Sequence, residues 1–181
     1  MPVLITIVAV VGVLGVLNLV LALGMIRRLK EHTEVLSNLS GRGSLALGEE
    51  VGAFTSTTVD GESVTREALA GDTLVGFFSP SCAPCREQLP KFVAYARQMP
   101  GGRGRVLAAV VGQGPDAEKM LAELGEVARV VAEKPGGGAL SAAFQAIAFP
   151  TVLRVSPGDR GVPVVTDDRV DLDRPVLTLG R

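Results

Sequence analysis

The 181-residue chain has no tryptophan, one tyrosine, one histidine and two cysteines. Each scarcity closes off a class of explanation. Structural zinc takes about four Cys or His ligands. Cys82 and Cys85 with the single distant His32 do not supply them. Lys and Arg number 18 against 19 Asp and Glu, for a formal charge of −1, so no clustered basic face offers a footprint for nucleic acid. Aromatic residues make up 4% of the chain, which leaves Val, Leu, Ala and a few Phe to build a core.

A further absence is local. From Met1 to Ile26, "MPVLITIVAVVGVLGVLNLVLALGMI", there is no charged side chain. A helix of about 20 apolar residues crosses the hydrocarbon core, and open irregular backbone is not viable there. Ala22-Leu23-Gly24 resembles a cleavage site, yet the basic n-region of a signal peptide is missing and the apolar run exceeds the usual ~7–15 residues. The expectation is a retained transmembrane anchor over residues 1–27, with residues 3–26 in the lipid bilayer. No cysteine lies nearby to carry a lipid. Arg27, Arg28 and Lys30 follow the span, and the positive-inside rule taken alone puts the rest of the chain in the cytoplasm.

Past the anchor, Ile26, Leu29, Thr33 and Leu36 recur at helical spacing, and "SGRGSLALGEE" is Gly- and Ser-rich. Residues 28–48 are therefore expected as stalk and linker, with His32 solvated. A globular domain is expected over 49–168 and a tail over 169–181. Within the domain, Asp60-Gly61 between two β-prone runs signals a hairpin. "DTLVGFFS" and "RVLAAVVG" have the continuous apolar character of strands buried on both faces. Leu89, Phe92, Val93, Ala96 and Met99 mark one helix face. Met120, Leu121 and Leu124, after Pro115, mark a second, and Leu140, Ala143, Phe144 and Ile147 a third. "ARVVAE", "FPTVLRVS" and "GVPVVTDDRV" supply further strands. Strands alternating with helices predict an α/β domain: a central mixed sheet flanked by helices.

Both cysteines fall within four residues, "CAPC", where an apolar strand gives way to a helix. Chance does not favour that placement. A disulfide closing so short a loop stabilises little, since the effect grows with loop length, but it opens and closes with little disturbance elsewhere. A redox couple remains. At a helix start, Cys82 meets unpaired N–H groups and the positive end of the helix dipole, which favour the thiolate that attacks disulfides. Cys85, one turn on, can then attack the mixed disulfide. Pro84 suits the first helical turn, Pro90 is expected to kink the helix, and Arg86 and Glu87 are expected to be solvated.

The strand-CxxC-helix order, the Ala83-Pro84 dipeptide and Pro90 together resemble the thioredoxin fold. The hairpin "TVDGESVT" and the long insertion before "FPT" are similar to the TlpA branch of membrane-tethered thiol–disulfide oxidoreductases, and "SPSC" to its MauD-type members. The resemblance spans residues 47 to 166. It implies a cis Pro150 facing the thiols, with Phe149, Pro150 and Thr151, together with Pro84, shaping the substrate site beside the catalytic Cys82 and Cys85. It also implies no cofactor beyond the cysteine pair and no metal. Protein thiols and disulfides are the implied substrates, a membrane electron donor the implied partner, and an extracytoplasmic side of the cell membrane the implied location, against the charge rule. Three departures stand out: Gly76 replaces a buried acid, Ser81 replaces a Trp, and "RVDLDRPVLTLGR" makes a poor final helix. Two alternatives share the fold. A thiol peroxidase would want Pro-x-x-x-Thr-x-x-Cys, but Val75 and Ser79 occupy the Pro and Thr positions. An assembly factor or thiol chaperone would bind one partner protein without turnover.

Overall fold

The computed structural model describes residue 12, residues 43–69 and residues 71–174. The expected anchor, apart from Gly12, lies outside the described residues, as do His32, the rest of the chain before residue 43 and the tail from Pro175. Among the described residues, no helix is long and apolar enough to cross a membrane.

The elements run β1 (Thr55–Thr57), β2 (Ser63–Thr65), β3 (Thr73–Phe78), α1 (Ala83–Ala96), β4 (Val106–Val111), α2 (Pro115–Gly125), β5 (Arg129–Glu133), α3 (Ala139–Ala143), β6 (Thr151–Pro157) and β7 (Pro163–Asp167). The main sheet has the order β5-β4-β3-β6-β7. β3, β4 and β5 are parallel, while β6 and β7 are antiparallel to their neighbours. This is the expected mixed sheet flanked by helices.

All six residues of β3 and all six of β4 are buried. Alternate side chains divide between the two faces because successive Cβ atoms of a strand point in opposite directions. Leu74 and Phe78 meet Phe92 and Val93 of α1 and Met120 and Leu124 of α2. Val75 and Phe77 meet Leu140 and Phe144 from the α3 side, with Phe54 and Val64 from the hairpin region. Such two-sided burial explains why these strands read as unbroken apolar runs.

The hairpin turns at Asp60-Gly61, as its sequence predicts. Its tip is joined to edge strand β5, where the Val59 N–H donates to the Val130 carbonyl at 2.8 Å. Asp60 pairs with Arg103, and Glu62 lies 3.6 Å from the nearly buried Arg129 guanidinium.

The domain extends beyond the expected 49–168 in both directions. Leu45 is 3% exposed, and its N–H donates to the Phe144 carbonyl at 3.0 Å. Val170 and Leu172 rest against the α1 face of the core. No helix occurs over residues 169–174.

The third helix is shorter than its apolar spacing predicts. It stops at Ala143, and Gln145 takes a positive φ of 51°. The Ile147 N–H instead bonds the Gly43 carbonyl at 2.9 Å, and the Ile147 side chain is 80% exposed. Phe144 remains in the core, its ring 5.4 Å from that of Phe77 and 6.1 Å from that of Phe54.

A carboxylate at the end of β5 holds the start of α3. Buried Glu133 accepts the Leu140 N–H at 2.8 Å, the Ser141 N–H at 3.2 Å and the Ser141 hydroxyl. These are N–H groups that a helix start leaves without internal partners. Gly138 makes room for the carboxylate: a Cβ there would lie 2.6 Å from Glu133 Oε1. The glycine run "KPGGG" thus has a packing role that its sequence hides. Glu133→Ala strands buried donors and removes charge-assisted bonds. It is expected to lower unfolding free energy by about 2 kcal/mol, and Glu133→Gln by less. Urea denaturation checks this, and an unchanged midpoint for the alanine variant would refute the capping role.

Candidate functional site

β3 ends at Phe78 and α1 begins at Ala83, so four residues form the junction. The Cys82 N–H closes a turn onto the Ser79 carbonyl at 3.2 Å. Cys82 is the N-cap of α1, and its sulfur accepts the Cys85 N–H at 3.3 Å. Pro84 sits in the first helical turn, where a missing N–H leaves no bond unmade. Arg86 turns back across the junction and donates to the Pro80 carbonyl at 2.9 Å. It therefore clasps the turn, a role not apparent from its position in the sequence. Glu87 is exposed, as expected.

Register brings the other half of the site. In the antiparallel pairing of β3 with β6, Phe77 faces Thr151. The residues just before β6 therefore lie beside the end of β3. The Phe149–Pro150 bond is cis, as the family resemblance implies. The Cys82 thiol donates to the Phe149 carbonyl at 3.2 Å, across 67 positions of sequence. The Thr151 hydroxyl donates to the Ala148 carbonyl at 2.8 Å and so ties the loop to the strand it enters. Cys82, Pro84, Cys85, Phe149, Pro150 and Thr151 thus share one end of the sheet.

The two thiols are free and differ in their surroundings. Cys82 is partly exposed, whereas Cys85 is fully buried. Burial pushes the Cys85 thiol up to about 12, and the neighbouring Cys82 adds to the rise. The Ser79 N–H, which reaches the Cys85 sulfur at 3.5 Å, and the Arg86 charge act in the opposite direction.

Gly76 lies on the same face of β3 as Phe78, above α1. A Cβ there would come 2.7 Å from the Phe92 ring and 2.8 Å from the Phe78 ring. Those rings meet edge to face, 5.1 Å apart. The space where the resemblance implies a buried acid is filled with hydrocarbon instead. Among the described residues, no group of His, Cys, Asp and Glu is arranged to hold a metal.

Sequence reasoning missed Ser79 as a neighbour of Cys85. Its backbone N–H holds the buried sulfur, while its hydroxyl lies 3.1 Å from that of Ser81. The signal was the alternation of hydroxyl residues in "SPSC", a stretch whose sequence bears on the MauD-type likeness, the missing Trp and the peroxidase pattern but does not show that Ser79 turns its N–H to Cys85.

No protein-family model and no curated protein matches the chain. Solved structures do. A thiol:disulfide interchange protein from a Bacteroides species is 19% identical with a TM-score of 0.55, over 71% of this chain and 84% of that one. The thioredoxin domain of a thiol-disulfide oxidoreductase from Bacteroides vulgatus is 21% identical with a TM-score of 0.51, over 67% and 88%. A DsbF homologue from Corynebacterium diphtheriae is 16% identical with a TM-score of 0.51, over 71% and 87%. At such identities the likeness is one of fold: the domain has the thioredoxin-like α/β fold.

Two outcomes follow from this geometry. Gly76→Ala forces a methyl against two packed rings and is expected to destabilise by about 1–3 kcal/mol, read as a lower urea midpoint. An unchanged midpoint would mean the rings yield freely. Iodoacetamide at neutral pH is expected to alkylate Cys82 at least about tenfold faster than Cys85, because burial both raises the Cys85 thiol and shields it while Cys82 is partly exposed. Peptide mapping of the label decides this, and faster labelling of Cys85 would reverse the assignment.

Proposed function

We propose that this thioredoxin-fold chain is a membrane-tethered thiol–disulfide oxidoreductase acting on exported proteins. The observation that carries the proposal is the asymmetry of the pair: Cys82 caps a helix at the surface, and Cys85 is buried one turn behind it. Disulfide exchange needs an accessible thiolate to attack and a protected thiol to resolve.

In the reductive direction, the Cys82 thiolate attacks one sulfur of a substrate disulfide. The substrate S–S bond breaks, a Cys82–substrate disulfide forms, and one substrate thiolate departs and takes up a proton. Cys85 then loses its proton and attacks Cys82. The Cys82–Cys85 bond forms, and the second substrate thiolate leaves. A pair of electrons has passed from the protein to the substrate. Thiol exchange with an electron donor at the membrane returns the pair to the dithiol, and the same steps reversed oxidise a substrate dithiol.

The protein contributes two further features. The Cys85 N–H at the start of α1 points at the Cys82 sulfur from 3.3 Å. The Phe149–Pro150–Thr151 loop borders the attacking sulfur, and an extended substrate backbone can lie against it. Ala83 and Pro84, which follow Cys82, are exposed and add small apolar surface next to it.

The charge-free run of residues 1–26 supports the anchor over residues 1–27, with residues 3–26 in the bilayer. We place the thiol domain on the extracytoplasmic side, where protein disulfides persist and a tethered exchanger meets them.

Trapping tests this function. Cys85→Ser removes the resolving thiol and is expected to accumulate mixed disulfides through Cys82, visible as reducible adducts on non-reducing gels. Cys82→Ser is expected to trap at least about tenfold less, since its remaining thiol is buried. Equal adduct yields from the two variants would refute the division of roles.

A further inference from the structure

We propose that the slot between β1 and β5 docks an extended segment of a protein substrate, which enters it as an added strand. The proposal deepens the exchange reading above and rests on it for the identity of the partner.

Both strands turn an unpaired edge to this slot. Backbone groups of successive residues in a strand point to opposite edges. The Gly112 N–H donates to the Glu133 carbonyl at 3.0 Å, so Glu133 faces β4. The Val59 N–H donates to the Val130 carbonyl, so Val130 faces away from β4. Ala132, two residues on, therefore turns its N–H and carbonyl outward as well. On β1 the Thr58 N–H donates to the Glu62 carbonyl at 2.8 Å, while the Val59 N–H leaves for β5. Thr57, two residues before Val59, therefore points its backbone groups out of the hairpin. Among the described residues, these groups of Thr57 and Ala132 have no partner. Both residues line one opening of about 270 Å³.

The slot is closed at one end by the bond between Val59 and Val130. Further along, the Gly52 N–H bonds the Ala143 carbonyl at 3.0 Å, which ties the approach to β1 onto α3 and not onto β5. A strand laid in the slot bonds Thr57 on one side and Ala132 on the other, and joins the hairpin to the main sheet.

The lining sets what fits. Ser56, Thr57, Ala132, Gly137 and Gly138 are small, so the backbone supplies the affinity and short side chains are preferred. Lys134 is the exposed charge of the lining, since Glu133 is buried and bound to the start of α3. An acidic residue in the segment complements it.

Position points to a substrate as the occupant. β3, β4 and β5 are parallel, so Glu133 lies at the same edge of the sheet as Phe78 and the junction that carries Cys82. Two strand spacings, about 10 Å, separate them. Gly112 spans the gap: it bonds Glu133, and a Cβ on it would lie 2.6 Å from the Pro80 ring. A protein whose disulfide meets Cys82 has neighbouring chain at this distance, and one still acquiring its fold has extended chain with free backbone groups.

The test uses the full chain in detergent micelles and two synthetic peptides. Each carries one cysteine as a mixed disulfide with a coloured aromatic thiol. One peptide continues as a run of Ala, Ser and Thr with a Glu. In the other, alternate residues of the run are proline, which cannot supply strand N–H groups. Attack by Cys82 on the peptide sulfur forms a Cys82–peptide disulfide, breaks the original S–S bond and releases the coloured thiolate with the electron pair. At low peptide concentration the first peptide is expected to react about tenfold faster than the second. Ala132→Pro and Thr57→Pro each remove an outward N–H and spare the ladder bonds. Each is expected to abolish that advantage and leave the rate with the second peptide unchanged. In the parent protein, a copy of the first peptide with serine for its cysteine is expected to slow amide hydrogen exchange at Thr57 and Ala132 at least about tenfold. Equal rates for the two peptides, an advantage that survives both proline variants, or unprotected amides would each overturn the docking site. So would slow exchange at Ala132 in the free protein, because its own chain or a second copy then fills the slot. Protected amides with no coloured thiolate released from either peptide would instead overturn the exchange reading.

Discussion

The site depends on the placement of one strand. β3 is buried on both faces and hydrogen-bonded on both edges, parallel to β4 and antiparallel to β6. A strand so enclosed cannot slip by one residue without turning Phe77 and Phe78 to the wrong faces. Its end is therefore fixed in space, and the junction that carries Cys82 is fixed with it. The same register, with Phe77 opposite Thr151, delivers Phe149 and Pro150 to that end. The contact between the Cys82 thiol and the Phe149 carbonyl follows from backbone pairing set several residues away.

The core beneath the thiols is apolar. Phe78 and Phe92 take the volume that Gly76 vacates, which strengthens packing between β3 and α1 and removes any place for a carboxylate. Both effects favour a neutral Cys85, because burial disfavours the charged form of a thiol. Polar function is correspondingly confined to the junction. The Ser79 N–H, the Cys85 N–H and the Arg86 guanidinium all act within residues 79–86. Stability and reactivity are thus divided between neighbouring layers, hydrocarbon below and hydrogen bonds above.

The hairpin and the third helix show the same economy at the edge of the sheet. The Val59 N–H and Arg103 bind the hairpin to the β5 side, while Glu133 at the end of β5 holds the start of α3. A helix of five residues gains little from its own hydrogen bonds. It persists because Leu140 and Phe144 enter the core and a buried carboxylate satisfies its first N–H groups.

Much of this was legible in the chain itself, wherever the signal was local. Unbroken apolar runs marked β3 and β4, because strands enclosed on both faces have no polar side to show. Leu89, Phe92, Val93 and Ala96 marked α1 by their spacing, and "CAPC" at the strand-to-helix boundary marked the thiols. Ile147 misled, because apolar spacing does not record where a backbone turns to a positive φ at Gln145. Leu45 and Leu172 were assigned outside the domain, because short flanking segments carry no period of their own. Glu133, Arg86 and Ser79 were invisible as partners, since each acts on groups brought to it by sheet register or a turn. Composition and periodicity determined the strands, the helices and the paired thiols. Tertiary structure alone decided which carbonyl faces Cys82, what fills the space beside Gly76 and which backbone N–H reaches the buried sulfur, because those contacts join groups that only folding brings together.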